Sequence, residues 1–168
     1  MLGHKSRNHA HFLLGHFLRR DQIDDILLGI VHRKHRPHKD GLLLQVKTGE
    51  GKSSIIAVEA AVWALFGERS YIITSNRILA EKDVIEFGKF YAMLGISVDH
   101  NIVQAGHNLK KAYECDIVYG QLYDFLSHTV ADEFYGNVKI CCYSNKSAYK
   151  LINAITFRIF AGKSRSNA

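Results

Sequence analysis

The chain has little cysteine, a single proline and no apolar stretch long enough to cross a bilayer. Its 168 residues include three cysteines, Cys115, Cys141 and Cys142. Two are adjacent and none forms a Cys-x-x-Cys pair, which argues against a disulfide framework or a zinc knuckle and fits a reducing compartment. The first residues are rich in His, Lys and Arg and carry no apolar core of a secretory signal. The longest apolar run, residues 55–66, is interrupted by Glu59 and is too short to span a membrane. No internal repeat or low-complexity segment is visible. These absences predict a cytoplasmic protein whose membrane contact, where there is any, is peripheral.

What the chain does have is an ordinary globular composition, 47% hydrophobic, in a length that suits one domain with a core. The charge is +6, from 22 Lys and Arg against 16 Asp and Glu. That excess suits phosphate, nucleic acid or anionic lipid without choosing among them. Much of it lies in His32-Arg33-Lys34-His35-Arg36-Pro37-His38-Lys39, which reads as a solvated basic loop. The His32, His35 and His38 spacing suggests a metal site only on paper, because the flanking Arg33, Lys34, Arg36 and Lys39 repel a cation. The N-terminal His4, His9, His11 and His16 read the same way.

Periodicity and turn residues predict strands alternating with helices. A helix is expected over 12–31, and a continuous apolar strand over 42–46, of the kind buried on both faces of a parallel sheet. A helix over 53–66 ends at Gly67. Strand 71–74 leads to helix 77–93, capped by Ser75 or Asn76 and closed by Gly95. Strand 96–100, a short polar helix over 106–114, strand 116–119 and helix 122–134 follow. Residues 135–149 have no firm period, and 151–160 reads as either strand or helix. The order predicts an α/β three-layer domain with a mainly parallel sheet. The expected division is a disordered 1–11, a nucleotide-binding domain over 12–140 that is incomplete at its C-terminal end, and a divergent tail over 141–168.

Within that pattern, Thr48-Gly49-Glu50-Gly51-Lys52-Ser53 stands between the apolar run 42–46 and a helix. A strand, a glycine-rich turn with Gly-Lys-Ser and a helix make a phosphate-binding loop. Glycines let the backbone curl so that its N–H groups face phosphate. Lys52 would reach the β- and γ-phosphates of ATP, the Ser53 hydroxyl would ligate Mg2+, and the helix N-terminus adds its dipole. The common Gly-x4-Gly-Lys pattern wants Gly or Ala where this chain has Val46. That disfavours ordinary kinases and GTPases and fits helicase-like motors.

Residues 44–53, Leu-Gln-Val-Lys-Thr-Gly-Glu-Gly-Lys-Ser, resemble the phosphate loop of SecA, the preprotein translocase ATPase family. Other stretches agree in the same order. Arg19-Arg20-Asp21-Gln22 resembles the upstream Arg-x-x-Gln element, which in that family recognises adenine. Residues 72–83 resemble its strand, Thr-x-Asn and Leu-Ala-x-Lys-Asp motif. Residues 90–98 resemble its Phe-Leu-Gly-Leu-Thr-Val stretch, and 113–120 its Tyr-x-Ala-Asp-Ile-x-Tyr-Gly stretch. The resemblance covers about 17–138 and implies a P-loop NTPase (RecA-like) first motor half. It implies that Arg19 and Gln22 contact the base while Thr48, Gly49, Glu50, Gly51, Lys52 and Ser53 hold the phosphates and Mg2+. A glutamine amide carries both a donor and an acceptor, as does the adenine edge. Alone, Gln22 reads as a solvent-facing helical polar residue; beside the loop at this spacing, the two readings are about equal.

The resemblance further implies an unfolded polypeptide and a membrane channel as partners, a second motor half, and no specific nucleic acid. Hydrolysis in this family uses an Asp-Glu-Val-Asp strand end that this chain lacks, so no catalytic residue is assigned. Asp132 and Glu133 read as a solvated helix face. The chain therefore reads as a truncated product or a partial gene model. Two other readings stay open, a helicase-like nucleic-acid-dependent ATPase and a degenerate fragment that only binds a partner. Cys115 reads as a small buried hydrophobe. Tyr113, Tyr119 and Tyr123 read as core and Lys110 and Lys111 as a solvated pair, rather than as a stacking surface for nucleic acid.

Overall fold

The computed structural model describes residues 18–35, 42–104, 108–135 and 155–157. The described residues fall into two compact units that divide after Glu59.

The first unit holds helix α1, Arg20–His35, the loop segment that follows, and the start of helix α2, Lys52–Leu65. Ala57, Ala60 and Ala61 along α2 favour helix without side-chain entropy cost and are buried. Gly29 of α1 lies against Glu59 of α2, where an added Cβ would stand 2.8 Å from a carboxylate oxygen. α2 closes at Gly67, whose φ is +81°, with the Glu68 N–H on the Trp63 carbonyl and the Gly67 N–H on that of Ala64. This pair of bonds is a glycine-terminated helix end of the Schellman type.

The second unit is an all-parallel sheet in the order β2-β3-β1-β4. Its strands are β1 Ser70–Thr74, β2 Val98–His100, β3 Ile117–Gln121 and β4 Ile155–Phe157. β1 and β3 run in register from Ser70 beside Ile117 to Thr74 beside Gln121. Every residue of β1 is buried, as expected for an inner strand of a parallel sheet. Between strands run α3 Arg77–Met93, α4 Leu109–Glu114 and, directly after β3, α5 Leu122–Tyr135.

On one face of the sheet Tyr71, Ile73 and Val118 pack with Tyr113 of α4 and Phe125 of α5. The Tyr71 and Phe125 rings meet edge to face, with centroids 5.7 Å apart. On the other face the Tyr119 hydroxyl lies 2.8 Å from the Tyr91 hydroxyl of α3. Helices cover both faces, so the three-layer α/β expectation holds. The Asn76 carboxamide caps α3 by accepting the Leu79 N–H at 2.8 Å. That helix ends at Gly95, φ +72°, by the same pair of closing bonds as α2.

Several expectations need adjustment. Residues 42–47 form no strand: Leu42 and Leu43 are 41% and 72% exposed. An apolar run becomes a strand only where a neighbour takes its backbone groups, and no ladder reaches this one among the described residues. The β2 strand begins at Val98, two residues after the predicted start, because Ser97 is taken up by Asp116. Residues 155–157, left open as strand or helix, pair parallel with β1. Tyr113 and Tyr119 are core, but Tyr123 is 67% exposed, since it lines an open depression at the strand ends. Predicted segments at 1–17, 36–41, 105–107, 136–154 and 158–168 lie outside the described residues, as do the side chains of Asp132 and Glu133.

Candidate phosphate-binding site

The eight candidate residues all fall in the first unit. The loop begins with a turn in which the Glu50 N–H donates to the Lys47 carbonyl at 3.3 Å. It then passes through two left-handed residues, Gly49 at φ +86° and Gly51 at φ +73°. Both conformations suit glycine and strain any residue with a Cβ. At Gly49 the demand is conformational only, because an added Cβ would meet nothing within 4 Å. At Gly51 it is also steric, because a Cβ would stand 2.3 Å from the Gln22 amide nitrogen.

α2 starts on the next residue, with the Ser54 and Ile55 N–H groups on the Gly51 carbonyl at 3.0 and 3.3 Å. Its first turn holds no acidic residue, so the partial positive charge of the helix N-terminus is not cancelled there. Lys52 and Ser53 are the first two helical residues and are both half-buried. The Lys52 ammonium donates to the Lys47 carbonyl at 2.8 Å, bridging the two ends of the turn. Thr48 is exposed in that turn.

Arg19 and Gln22 lie next to the loop, at the start of α1. Gln22 is 4% exposed. Its amide nitrogen donates to the Glu50 carbonyl at 2.8 Å, and its oxygen accepts the Arg19 N–H at 2.9 Å. The Arg19 guanidinium forms an ion pair with the Glu50 carboxylate. Neither of the two readings of Gln22 offered by the sequence included a bond to the loop itself. A separation of 28 residues gives no local signal for one.

The second unit has polar features that periodicity could not reveal. Arg77 grips the buried Asp124 carboxylate through Nε at 3.0 Å and Nη2 at 2.5 Å. The Asp124 carboxylate holds the Arg77 guanidinium charged, chiefly through these hydrogen bonds. At the C-terminal ends of β1 and β3, residues including Thr74, Ser75, Gln121 and Tyr123 line an open depression of about 480 Å³. No lining residue is charged. Among the described residues no cluster of His, Cys, Asp or Glu is arranged to hold a metal, and no helix is long and apolar enough to cross a membrane. Cys115 is half-buried against the core, and burial pushes its thiol pKa up, which disfavours the reactive thiolate.

A parallel α/β sheet with helices on both faces, in a chain that also carries a Gly-x-Gly-Lys-Ser turn at a helix N-terminus, defines the P-loop class. Within it, the SecA DEAD-like domain family matches residues 26–152, and the chain belongs to that family. The "Protein translocase subunit SecA" of a Nitratiruptor species is 36% identical over 88 residues, 51% of this chain and 10% of that protein. The subunit of the same name from an Azoarcus species is 37% identical over 87 residues, again 51% and 10%. That from Clostridium tetani is 40% identical over 81 residues, 48% and 10%. The chain thus aligns with about a tenth of the curated relatives it matches.

Proposed function

We propose that this chain binds ATP with Mg2+ as the first nucleotide-binding half of a protein-translocation motor. The observation that carries the reading is the left-handed pair Gly49 and Gly51 leading directly into α2 at Lys52 and Ser53. A curl of this kind aims consecutive backbone N–H groups at one anion, and the helix dipole favours the same charge. The residues present fit a triphosphate: the Gly49 side is open, the helix start is free of carboxylates, and two lysines flank the turn.

In this reading Thr48, Gly49 and Gly51 offer backbone N–H groups to the phosphates, while Glu50, whose own N–H is held on the Lys47 carbonyl, belongs to the same loop. Lys52 supplies a point charge to the β- and γ-phosphates, and the Ser53 hydroxyl is the protein's ligand to Mg2+. Bound Mg2+ neutralises charge on the phosphate oxygens. Arg19 and Gln22 lie on the base side. No residue of this chain is assigned to hydrolysis.

The relatives are named translocase subunits. We carry over from them, as part of the proposal, an unfolded polypeptide as cargo, a membrane channel as partner, a second motor half, and a place in the cytoplasm and at the membrane periphery. The 12–140 division of the nucleotide-binding domain belongs to the same proposal. A helicase-like role has no specific support, because the depression at the strand ends carries no charge and Arg77, two residues beyond its lining Ser75, is neutralised by Asp124.

The test is titration of a fluorescent ATP analogue with Mg2+ against the native chain and Lys52→Ala. Loss of the ammonium should weaken binding at least about tenfold, the scale of one charge-assisted hydrogen bond. Equal signals from the two proteins would refute the ATP reading and favour a fragment that binds only a partner.

A further inference from the structure

Arg19 and Gln22 do more in this structure than stand near a base. A carboxamide has two N–H groups and two carbonyl lone pairs. One N–H of Gln22 goes to the Glu50 carbonyl, and one lone pair takes the Arg19 N–H. These two bonds fix the orientation of the amide, because a flip would set its oxygen against a carbonyl and its N–H group against another N–H. The amide therefore holds the Glu50-Gly51 peptide of the loop to the start of α1. Gly51 permits this approach, since any Cβ there would collide with the amide nitrogen. Meanwhile Glu50 puts a carboxylate into a loop shaped for an anion, and the Arg19 guanidinium neutralises it.

We propose that Gln22 and Arg19 are positioning residues for the phosphate loop. Gln22 pins the Glu50-Gly51 peptide so that its neighbours keep the curl, and Arg19 cancels the Glu50 charge that would oppose a triphosphate. The proposal rests on the reading of the loop as a triphosphate site. Its first arm can be measured without nucleotide.

In that arm, amide hydrogen exchange is followed in the nucleotide-free chain and in Gln22→Glu, a variant of the same size that lacks the donor to the Glu50 carbonyl. Exchange over 48–54 should rise about five- to tenfold, as loss of one net hydrogen bond implies, with 70–74 unchanged. A uniform rise would mean general loosening, and no rise would mean no pin. Either result overturns the Gln22 role.

In the second arm, tripolyphosphate with Mg2+, a ligand without a base, competes against the fluorescent ATP analogue. Arg19→Ala should weaken tripolyphosphate severalfold, and adding Glu50→Gln should restore it. A base contact at Arg19 predicts instead that tripolyphosphate is unaffected and that Glu50→Gln rescues nothing, which would overturn the Arg19 role. If the native chain binds neither ligand, the ATP reading fails and the Arg19 role falls with it. Exchange over 48–54 still decides whether Gln22 pins the loop.

Discussion

Gly49 and Gly51 share a left-handed backbone but differ in surroundings, and that difference is measurable. Gly49→Ala should cost about 1–2 kcal/mol of stability from backbone strain alone. Gly51→Ala meets the same strain and also pushes Gln22 off the Glu50 carbonyl, so it should cost about 1 kcal/mol more. Urea unfolding of the two variants checks the order. At Asp116 the question is pH. The Ser97 hydroxyl and backbone N–H both donate to its carboxylate, at 2.6 and 2.9 Å, and hold its pKa below the ordinary carboxylate range. A depressed folded pKa means stability that is present at neutral pH and lost as pH falls through the acid range. Ser97→Ala should therefore be less stable than the native chain at neutral pH, with the gap narrowing toward acid. Unfolding series at neutral and acidic pH would record this, and a gap that widens toward acid would contradict it.

Among the elements, the ones legible in the sequence were those whose signals are local. Helix 77–93 carries its own cap, Asn76, and its own terminator, Gly95, and forms over the predicted residues. The strands at β1 and β3 are short apolar runs set between turn signals, and both are there to within a residue or two. The run 42–46 is apolar like β1 and is not a strand, because pairing is a property of neighbours rather than of the run. The ion pair of Arg77 with Asp124 joins the start of α3 to the first turn of α5 across 47 residues and was invisible for the same reason. Its removal has a definite expectation. Arg77→Ala leaves a 2% exposed carboxylate without its bidentate donor and should lower the denaturation midpoint. Arg77→Lys should recover only part of this, since an ammonium cannot form the fork. Chemical denaturation of both variants provides the check, and a neutral Arg77→Ala would show that Asp124 has other sufficient partners.

For the molecule as a whole, the net charge of +6 adds a weak, long-range attraction for any polyanion. It should appear as residual binding of the ATP analogue to Lys52→Ala that fades as salt is raised. The portion that depends on Lys52 should persist at higher salt, because it uses close hydrogen bonds in a partly buried loop. If both portions fall together, binding is only charge attraction and the loop has no special part in it.

The sequence alone was enough for the α/β order, the glycine turn at a helix start and the family, because each is written in neighbouring residues: periodicity, glycine spacing and short motifs. Only the tertiary structure could decide that Gln22 hydrogen-bonds the Glu50 carbonyl, that Arg19 pairs with Glu50, that Arg77 meets Asp124, and that the run at 42–46 joins no strand among the described residues. Those facts depend on which distant groups are brought within hydrogen-bond reach, and no local pattern encodes a contact between residues tens of positions apart.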